Sequence, residues 1–395
     1  MNHSVEGVRA RSIAGAYLGW VLDGYDALLV VPIMPLLGRL FFPGPYSLLG
    51  GLSTLVATLV GRPLGAAVMG YVGDRFGRRV GLLATVTGYS FSALGLALMP
   101  TYASMGAAAP ASFLSLRFLQ GAFLGGEFGP GTAMIMEWSK WRSEFASAFT
   151  QSGYPIGVIM ATLVNAGFAS MMGPSFYAVG WRIYLATGAV AALITLIVRS
   201  RLAESPKWSP PRVNPLTALF KSGGALVWGI LFTGGLLTVY YSTYLVYPDL
   251  LAFLGRASEI PGLTLAATVA ATAAVLLAGS LAAGVGSKPL IVGSLVAAVV
   301  LAPYSLLINP SPVSLVALAF VENFPMGLVP HVLINEFGQH YRASALGVSY
   351  NWGLLIGGWA PMLVGLASPL GLGMLMGMAG GAALAVAGLV ALTRR

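Results

Sequence analysis

The chain has 395 residues, 57% of them apolar and only 8% charged, with a formal net charge of +9 and no cysteine. That is too little polar surface to coat a water-soluble globule of this length, so the chain belongs in lipid. The absence of cysteine excludes disulfides and thiol chemistry.

A hydrocarbon core about 30 Å thick takes roughly 20 apolar residues per spanning helix. On that scale the sequence reads as an all-α membrane protein with twelve transmembrane helices: 13–37, 47–72, 80–100, 110–137, 146–172, 181–200, 224–247, 262–286, 289–308, 312–336, 343–367 and 371–392. A transmembrane barrel would instead alternate apolar and polar residues in segments of about ten. Residues 1–12 are short and polar and read as a cytoplasmic tail rather than a cleaved signal peptide. On this map sixteen of the 21 basic residues fall on one side: Arg9, Arg11, Arg75, Arg78, Arg79, Lys140, Arg142, Arg199, Arg201, Lys207, Arg212, Lys221, Lys288, Arg342, Arg394 and Arg395. The other side has Arg39, Arg182 and Arg256, while Arg62 and Arg117 lie within spans. Cytoplasmic loops collect positive charge, so both termini are expected in the cytoplasm of a multi-pass plasma-membrane protein. Basicity here reports topology, and no nucleic-acid partner is expected.

Taken in chain order, the spans carry few ionisable residues, and at membrane depth each is a candidate for function. In the first span, Asp23 and Asp26 lie about 15 and 20 Å from the cytoplasmic start, close to the midplane. Their i, i+3 spacing puts two carboxylates on one helix face, where both do not ionise comfortably, as a proton carrier requires. The plainer alternative is that each pairs with an intramembrane arginine and braces the bundle. In the second span Arg62 sits at mid-depth before Pro63, which frees a backbone carbonyl there. The fourth span carries Arg117 and, about 15 Å deeper, Glu127. An arginine stays charged, so each needs an anion from the protein or from a solute. Gly121, Gly125 and Gly129, like Gly61 and Gly65, recur at spacings that let helix backbones touch in lipid.

The polar stretch 202–223, with four prolines, divides the chain into an N-terminal six-helix half (1–201) and a C-terminal one (224–395). The entries to the fifth and eleventh spans repeat one another 200 residues apart, with Arg142, Gly153, Ile156 and Gly157 matched by Arg342, Gly353, Ile356 and Gly357, and Gln151 facing Asn351. At nearly the same offset 134–138 matches 333–337. Two parallel halves with a site between them is a transporter architecture. In the second half, Tyr240, Tyr241, Tyr244 and Tyr247 lie on the seventh span, the first two as candidate solute contacts and the last two fitting an interfacial belt. Glu322 is the matching buried carboxylate of this half, with Asn323 beside it. His331 is a lone histidine that is either structural or proton-coupled. Tyr350, Asn351 and Trp352 complete the candidate solute contacts. No zinc-protease, nucleophile-elbow or phosphate-loop motif occurs, so no enzyme, metal site or cofactor is expected.

The stretch Gly70-Tyr-Val-Gly73-Asp74-Arg75-Phe76-Gly77-Arg78-Arg79 resembles the signature loop of the major facilitator superfamily. Arg62-Pro63-Leu64-Gly65, Arg117 to Gly121, Gly125 to Gly129, Trp181-Arg182 and Glu204-Ser205-Pro206 extend the resemblance, over about residues 13–208, to metabolite:proton symporters. Sugar porters and sialate or aromatic-acid symporters are relatives of these. In such symporters an acidic residue and an aspartate occupy the places of Asp23 and Asp26. Between spans 8 and 9, where many relatives repeat the signature loop, this chain has only Gly284-Val-Gly286-Ser-Lys288-Pro289.

The resemblance implies import of a carboxylate or zwitterionic metabolite together with protons, by alternating access, from a monomer in the bilayer. Proton coupling is expected at Asp23, Asp26, Glu127 and Glu322. Solute binding is expected at Arg62, Arg117, Gln151, Tyr240, Tyr241, Tyr350, Asn351 and Trp352, its carboxylate meeting Arg117 or Arg62. Asp74, Glu137, Glu204 and Glu336 with Arg75, Arg79, Arg142 and Arg342 would latch the cytoplasmic gate. An exporter or a sugar-like solute porter is the alternative within transport. A non-transporting membrane sensor or scaffold is the alternative outside it.

Overall fold

In the computed structural model, which describes residues 2–367 and 369–393, every element is helical and no strand occurs among the described residues. Arg394 and Arg395, counted above with the basic side, lie outside them. The first helix, α1 (Asn2–Leu29), starts well before residue 13. The polar stretch 1–12, expected as a tail, is therefore helical from Asn2: Arg9 and Glu6 pair one turn apart and the helix simply continues out of the apolar segment. Past a short turn at Val31–Ile33 the chain resumes as α2 (Met34–Phe41), each break carrying a proline that cannot donate to the preceding turn. The long helices α3 (Ser47–Arg75) and α4 (Arg78–Leu98) follow. Pro63 lies inside α3 without interrupting it.

After α5 (Tyr102–Met105), the expected fourth span is two helices, α6 (Ala108–Gly125) and α7 (Phe128–Trp138), broken at Gly126-Glu127. Then come α8 (Ser143–Met172) and α9 (Trp181–Ser200). The polar connection contains one short helix, α10 (Pro215–Lys221), whose N-terminus is capped by the Asn214 side chain. The seventh span is broken too: α11 (Gly223–Ser242) ends at Thr243, a turn covers Tyr244–Val246, and α12 (Tyr247–Phe253) resumes. Two unbroken α-helices, α13 (Ile260–Val285) and α14 (Ser287–Pro303), come next. The tenth span is split into α15 (Pro312–Asn323), a turn at Phe324–Leu328 and α16 (Val329–Glu336), with prolines 325 and 330 at the breaks. The eleventh is split into α17 (Arg342–Gly357) and α18 (Ala360–Gly365), with Pro361 at the break, and α19 (Leu370–Leu392) closes the described chain.

Among the described residues ten helical stretches are long and apolar enough to cross a membrane. The expected spans 110–137 and 343–367 are not among them. Both are interrupted near mid-depth, and the first also carries Arg117, Glu127 and Glu137.

Packing within the first half runs α1 on α8, α7 and α9, α3 on α6, and α4 on α9. In the second half α11 packs on α19 and α17, and α13 on α15. The halves meet along α8–α13 and along α3–α17, with α7 also against α17. The contact of α3 with α6 is backbone to backbone: a Cβ at Gly65 would collide with the Ala122 carbonyl, and one at Gly125 with that of Arg62. These are the glycines whose spacing marked them in the sequence. Gly77 and Gly286 adopt φ of +118° and +94° and directly precede α4 and α14. The shortened second loop thus retains the left-handed glycine that turns the chain into the next helix.

Candidate functional site

Between the halves lies a cavity walled by Trp20 of α1, Gln151 and Tyr154 of α8, Tyr240 and Tyr241 of α11, Tyr244, Asn323 and Tyr350. The cavity is small, about 50 Å³, room for a few waters. The rings interlock: Phe128 stacks on Tyr350 at 4.0 Å between centroids, and Trp20 lies 4.9 Å from Phe128 and 5.6 Å from Tyr350. On the second-half side Tyr240 stacks on Tyr244 at 5.0 Å.

Charge enters this aromatic wall at one place. Asp23 and Arg62 both line the cavity and form a two-pronged ion pair, Nη1 donating to Oδ2 at 3.1 Å and Nη2 to Oδ1. Asp23 is wholly buried and Arg62 nearly so. A pair this deep holds together because each partner would otherwise be an uncompensated charge in a dry interior.

Asp26, one turn on, has different surroundings. Its Oδ1 accepts from the Tyr89 hydroxyl at 2.9 Å and the Gln120 amide at 2.9 Å, while Oδ2 lies 3.9 Å from Arg117 Nη1. Arg117 also donates to Gln120, and its Nε finds no partner. This cluster is packed inside the first half, away from the cavity wall. The two aspartates thus do not share one environment, as their i, i+3 spacing suggested: α3 supplies the arginine for Asp23, and α4 with α6 supplies the partners of Asp26.

Glu127, at the break between α6 and α7, is held by Arg199 of α9 through a two-pronged pair and by Thr85 at 2.8 Å. Arg199 further donates to the carbonyls of Gly15 and Leu82, tying α9, α1 and α4 together. Glu322, at the end of α15, accepts from Thr243 at 2.7 Å and from Tyr247 at 3.2 Å. Tyr244 and Tyr247 are buried there rather than set in an interfacial belt.

Of the remaining solute candidates, Gln151 has a buried Oε1 without a partner. Asn351, its repeat counterpart, donates to the carbonyls of Gly125 and Gly347 and so joins α17 to α6. Trp352 is half exposed and donates to the Pro63 carbonyl at 3.3 Å. His331 faces Ser143 across the halves, Nδ1 to Oγ at 2.8 Å.

At the basic end a second polar assembly spans both halves. Asp74, in the last turn of α3, accepts the backbone N–H groups of Ala343 at 3.0 Å and Ser344 at 2.8 Å and the Ser344 hydroxyl at 2.6 Å. A carboxylate thereby sits at the N-terminus of α17, where the helix dipole favours it. Arg78 bonds Asp74, reaches Glu137 at 3.3 Å and donates to the Gln339 carbonyl at 3.2 Å. Arg342 meets the same Glu137 oxygen at 3.3 Å. Glu204 accepts the backbone N–H groups of Arg78 at 2.9 Å and Arg79 at 3.1 Å, occupying the N-terminus of α4.

The other latch candidates are placed differently. Arg75 and Arg79 donate to the carbonyls of Pro211 and Ser200, Arg142 reaches the Ala283 carbonyl, and Glu336 is the half-buried last residue of α16. Arg78, part of the signature-loop stretch but not among the expected latch residues, is the hub. Arg199, read only as a topology charge, is the buried partner of Glu127. Trp20 and Tyr154 carried no sequence signal beyond aromaticity.

Comparison with known proteins agrees with this architecture. A family model described as "Sugar (and other) transporter" matches residues 13–211. The proline/betaine transporter of Escherichia coli K12 is 27% identical over 392 residues, spanning 91% of this chain and 77% of that protein. The shikimate transporter of the same organism is 31% identical over 235 residues, spanning 55% of this chain and 54% of that one. A solved structure of the proton:xylose symporter XylE bound to 6-bromo-6-deoxy-D-glucose superposes with a TM-score of 0.77 at 20% identity, covering 96% and 95% of the two chains. An inward-open structure of XylE from E. coli gives 0.67 at 19% identity, covering 94% of each. With this fold and the family match over half its length, the chain belongs to the sugar (and other) transporter family of the major facilitator superfamily, multi-pass membrane proteins that move small organic solutes as secondary transporters.

Proposed function

We propose that this chain imports a small zwitterion with protons, working as two six-helix bundles, 1–201 and 224–395, joined by 202–223, with both termini in the cytoplasm. The observation that carries the substrate class is the Arg62–Asp23 pair in a cavity otherwise lined by aromatic, aliphatic and uncharged polar side chains. A zwitterion that enters between them gives its carboxylate to Arg62 and its ammonium to Asp23, so both buried charges stay compensated. A simple anion strands Asp23, and a neutral sugar leaves the pair nothing to exchange. The surrounding ring faces add attraction for the ammonium. Relatives named proline/betaine transporters support the same class.

Asp26 takes the proton. Its nearest cation stands at 3.9 Å and its other contacts are neutral donors, so protonation costs less there than at Asp23. Neutral Asp26 releases Arg117 and loosens the cluster that joins α1, α4 and α6. The assembly of Asp74, Arg78, Glu137, Glu204 and Arg342 closes the cytoplasmic side and must part for solute to leave.

Equilibrium binding to purified transporter tests the substrate class. L-proline and glycine betaine should compete for the cavity, whereas a dicarboxylate such as succinate and a neutral sugar such as xylose should not. Arg62→Ala should weaken zwitterion binding by about a hundredfold, the scale of a lost charge-assisted pair. Binding of xylose or succinate in place of both zwitterions would sink the assignment.

A further inference from the structure

Among the described residues, two buried side-chain polar atoms without a hydrogen-bond partner belong to residues that line the cavity: Trp20 Nε1 and Gln151 Oε1. Both residues are 4% exposed. The other orphaned atoms, Arg117 Nε and Tyr184 Oη among them, lie on side chains that do not wall it. An indole N–H only donates, and an amide oxygen only accepts. Each is costly to leave bare in a dry interior, so each calls for a complementary group on what enters.

The backbone puts both atoms beside the charged pair. On α1, Trp20 and Asp23 are one turn apart; on α8, Gln151, Tyr154, Pro155 and Val158 follow at i, i+3, i+4 and i+7, one face that walls the cavity. The Trp20 ring is fixed by Phe128, Tyr154 and Tyr350, at 4.9, 5.7 and 5.6 Å between centroids. Its Cδ1, the atom bonded to Nε1, lies 3.2 Å from where a Gly153 Cβ would stand, so the N–H edge is turned to α8. The Gln151 amide stands beside the Tyr350 hydroxyl. Apart from hydroxyls and the Asn323 amide, which give and take hydrogen bonds alike, the wall offers two donors, Arg62 and Trp20, and two acceptors, Asp23 and Gln151 Oε1.

We infer that the cavity selects an ammonium that carries N–H bonds, and that Gln151 is the residue that reads them. The inference rests on the zwitterion reading above. A secondary ammonium has two N–H bonds, one for Asp23 and one for Gln151, and its carboxylate has oxygens enough for both Arg62 and Trp20. Every orphaned group is then met. A fully methylated ammonium keeps its charge and its attraction to the ring faces, but it gives Gln151 nothing. Trp20 serves the carboxylate, which both kinds of solute share, so the difference between them falls on the Gln151 oxygen. A site built to bond a solute N–H rejects the analogue lacking it more sharply than an apolar pocket rejects by shape.

Equilibrium binding of L-proline, N-methyl-L-proline and N,N-dimethyl-L-proline to the purified protein removes the N–H bonds one at a time from one ring with one carboxylate. L-proline should bind at least about tenfold tighter than the dimethyl compound, the scale of one hydrogen bond to a charged group. Methyl bulk alone would give the same order, so the variants decide. In Gln151→Met, similar in size but without the acceptor, L-proline should lose about tenfold while the dimethyl compound stays within about twofold. Gln151→Glu, which keeps an oxygen acceptor, should retain the preference. Trp20→Phe should weaken both solutes and leave their ratio within about twofold. A gap that survives Gln151→Met, or one that Gln151→Glu abolishes, would overturn the role of Gln151. Equal affinity of the wild type for all three solutes would overturn the inference and leave zwitterion binding intact. Binding of none of them would mean that the zwitterion reading has failed and the inference with it.

Discussion

The two halves handle buried charge in opposite ways. In the first, each deep carboxylate has an arginine: Asp23 with Arg62, Asp26 with Arg117, Glu127 with Arg199. In the second, Glu322 is held by hydroxyl groups of Thr243 and Tyr247. The apolar packing follows this division. Around the first half's ion pairs the core is split into separate clusters, one at Phe41, Phe113 and Trp181, one at Leu22, Val86 and Tyr89, one at Ile13, Leu82 and Met134. The second half packs as one cluster that reaches across to Trp20 and Phe128. The paired buried charges thus belong to the first half, while the second supplies apolar wall and ring faces.

That contrast can be broken at its strongest point first. Removing one member of a buried pair leaves the other uncompensated, at a cost of about 3–5 kcal/mol. Arg199→Ala should therefore lower the thermal stability of the purified protein sharply, and Arg199→Ala/Glu127→Leu should recover part of it. A double variant no better than the single would mean that the carbonyl contacts of Arg199, not the pair, hold α9. Next, Gly65→Val places side-chain atoms in the α3–α6 contact and should destabilise by about 1–3 kcal/mol, read as a lower melting temperature. Asp74→Asn removes the charge from the α17 N-terminus and should shift the equilibrium toward a parted basic end by about 1–2 kcal/mol, read as faster labelling of a cysteine introduced at Ser344. The smallest effect is expected at Arg117→Ala, which should leave zwitterion affinity within about threefold because the side chain stands behind the wall. A loss as large as that of Arg62→Ala would put Arg117 back among the solute contacts.

Much of this was legible in the residues. Apolar windows locate the helices and the glycine spacings of α3 and α6 mark close helix packing, whereas the proline breaks at 325, 330 and 361 are hidden inside spans that read as continuous. Asp23, Asp26 and Arg62 stood out because charge at membrane depth is costly. What the sequence could not carry is which distant group each charge meets. The i, i+3 spacing of Asp23 and Asp26 puts them on one helical face, yet helices from different parts of the chain approach that face at different depths. Arg78 and Arg199 lie at helix ends, where a topology charge and a structural hub have the same sequence context. Gln151 and Asn351 occupy equivalent places in the repeat, and only packing sends one to the cavity and the other to the Gly125 carbonyl.

In the proposed cycle two aspartates three residues apart have separate duties, Asp23 holding solute and Asp26 holding the proton. Uptake of labelled L-proline into proteoliposomes separates them when net accumulation under an inward proton gradient is measured beside one-for-one exchange at equal pH. Asp26→Asn should abolish accumulation above equilibrium while exchange continues within about threefold of wild type, because the bound pair at Asp23 and Arg62 is untouched. Accumulation that survives unchanged in Asp26→Asn would contradict the account.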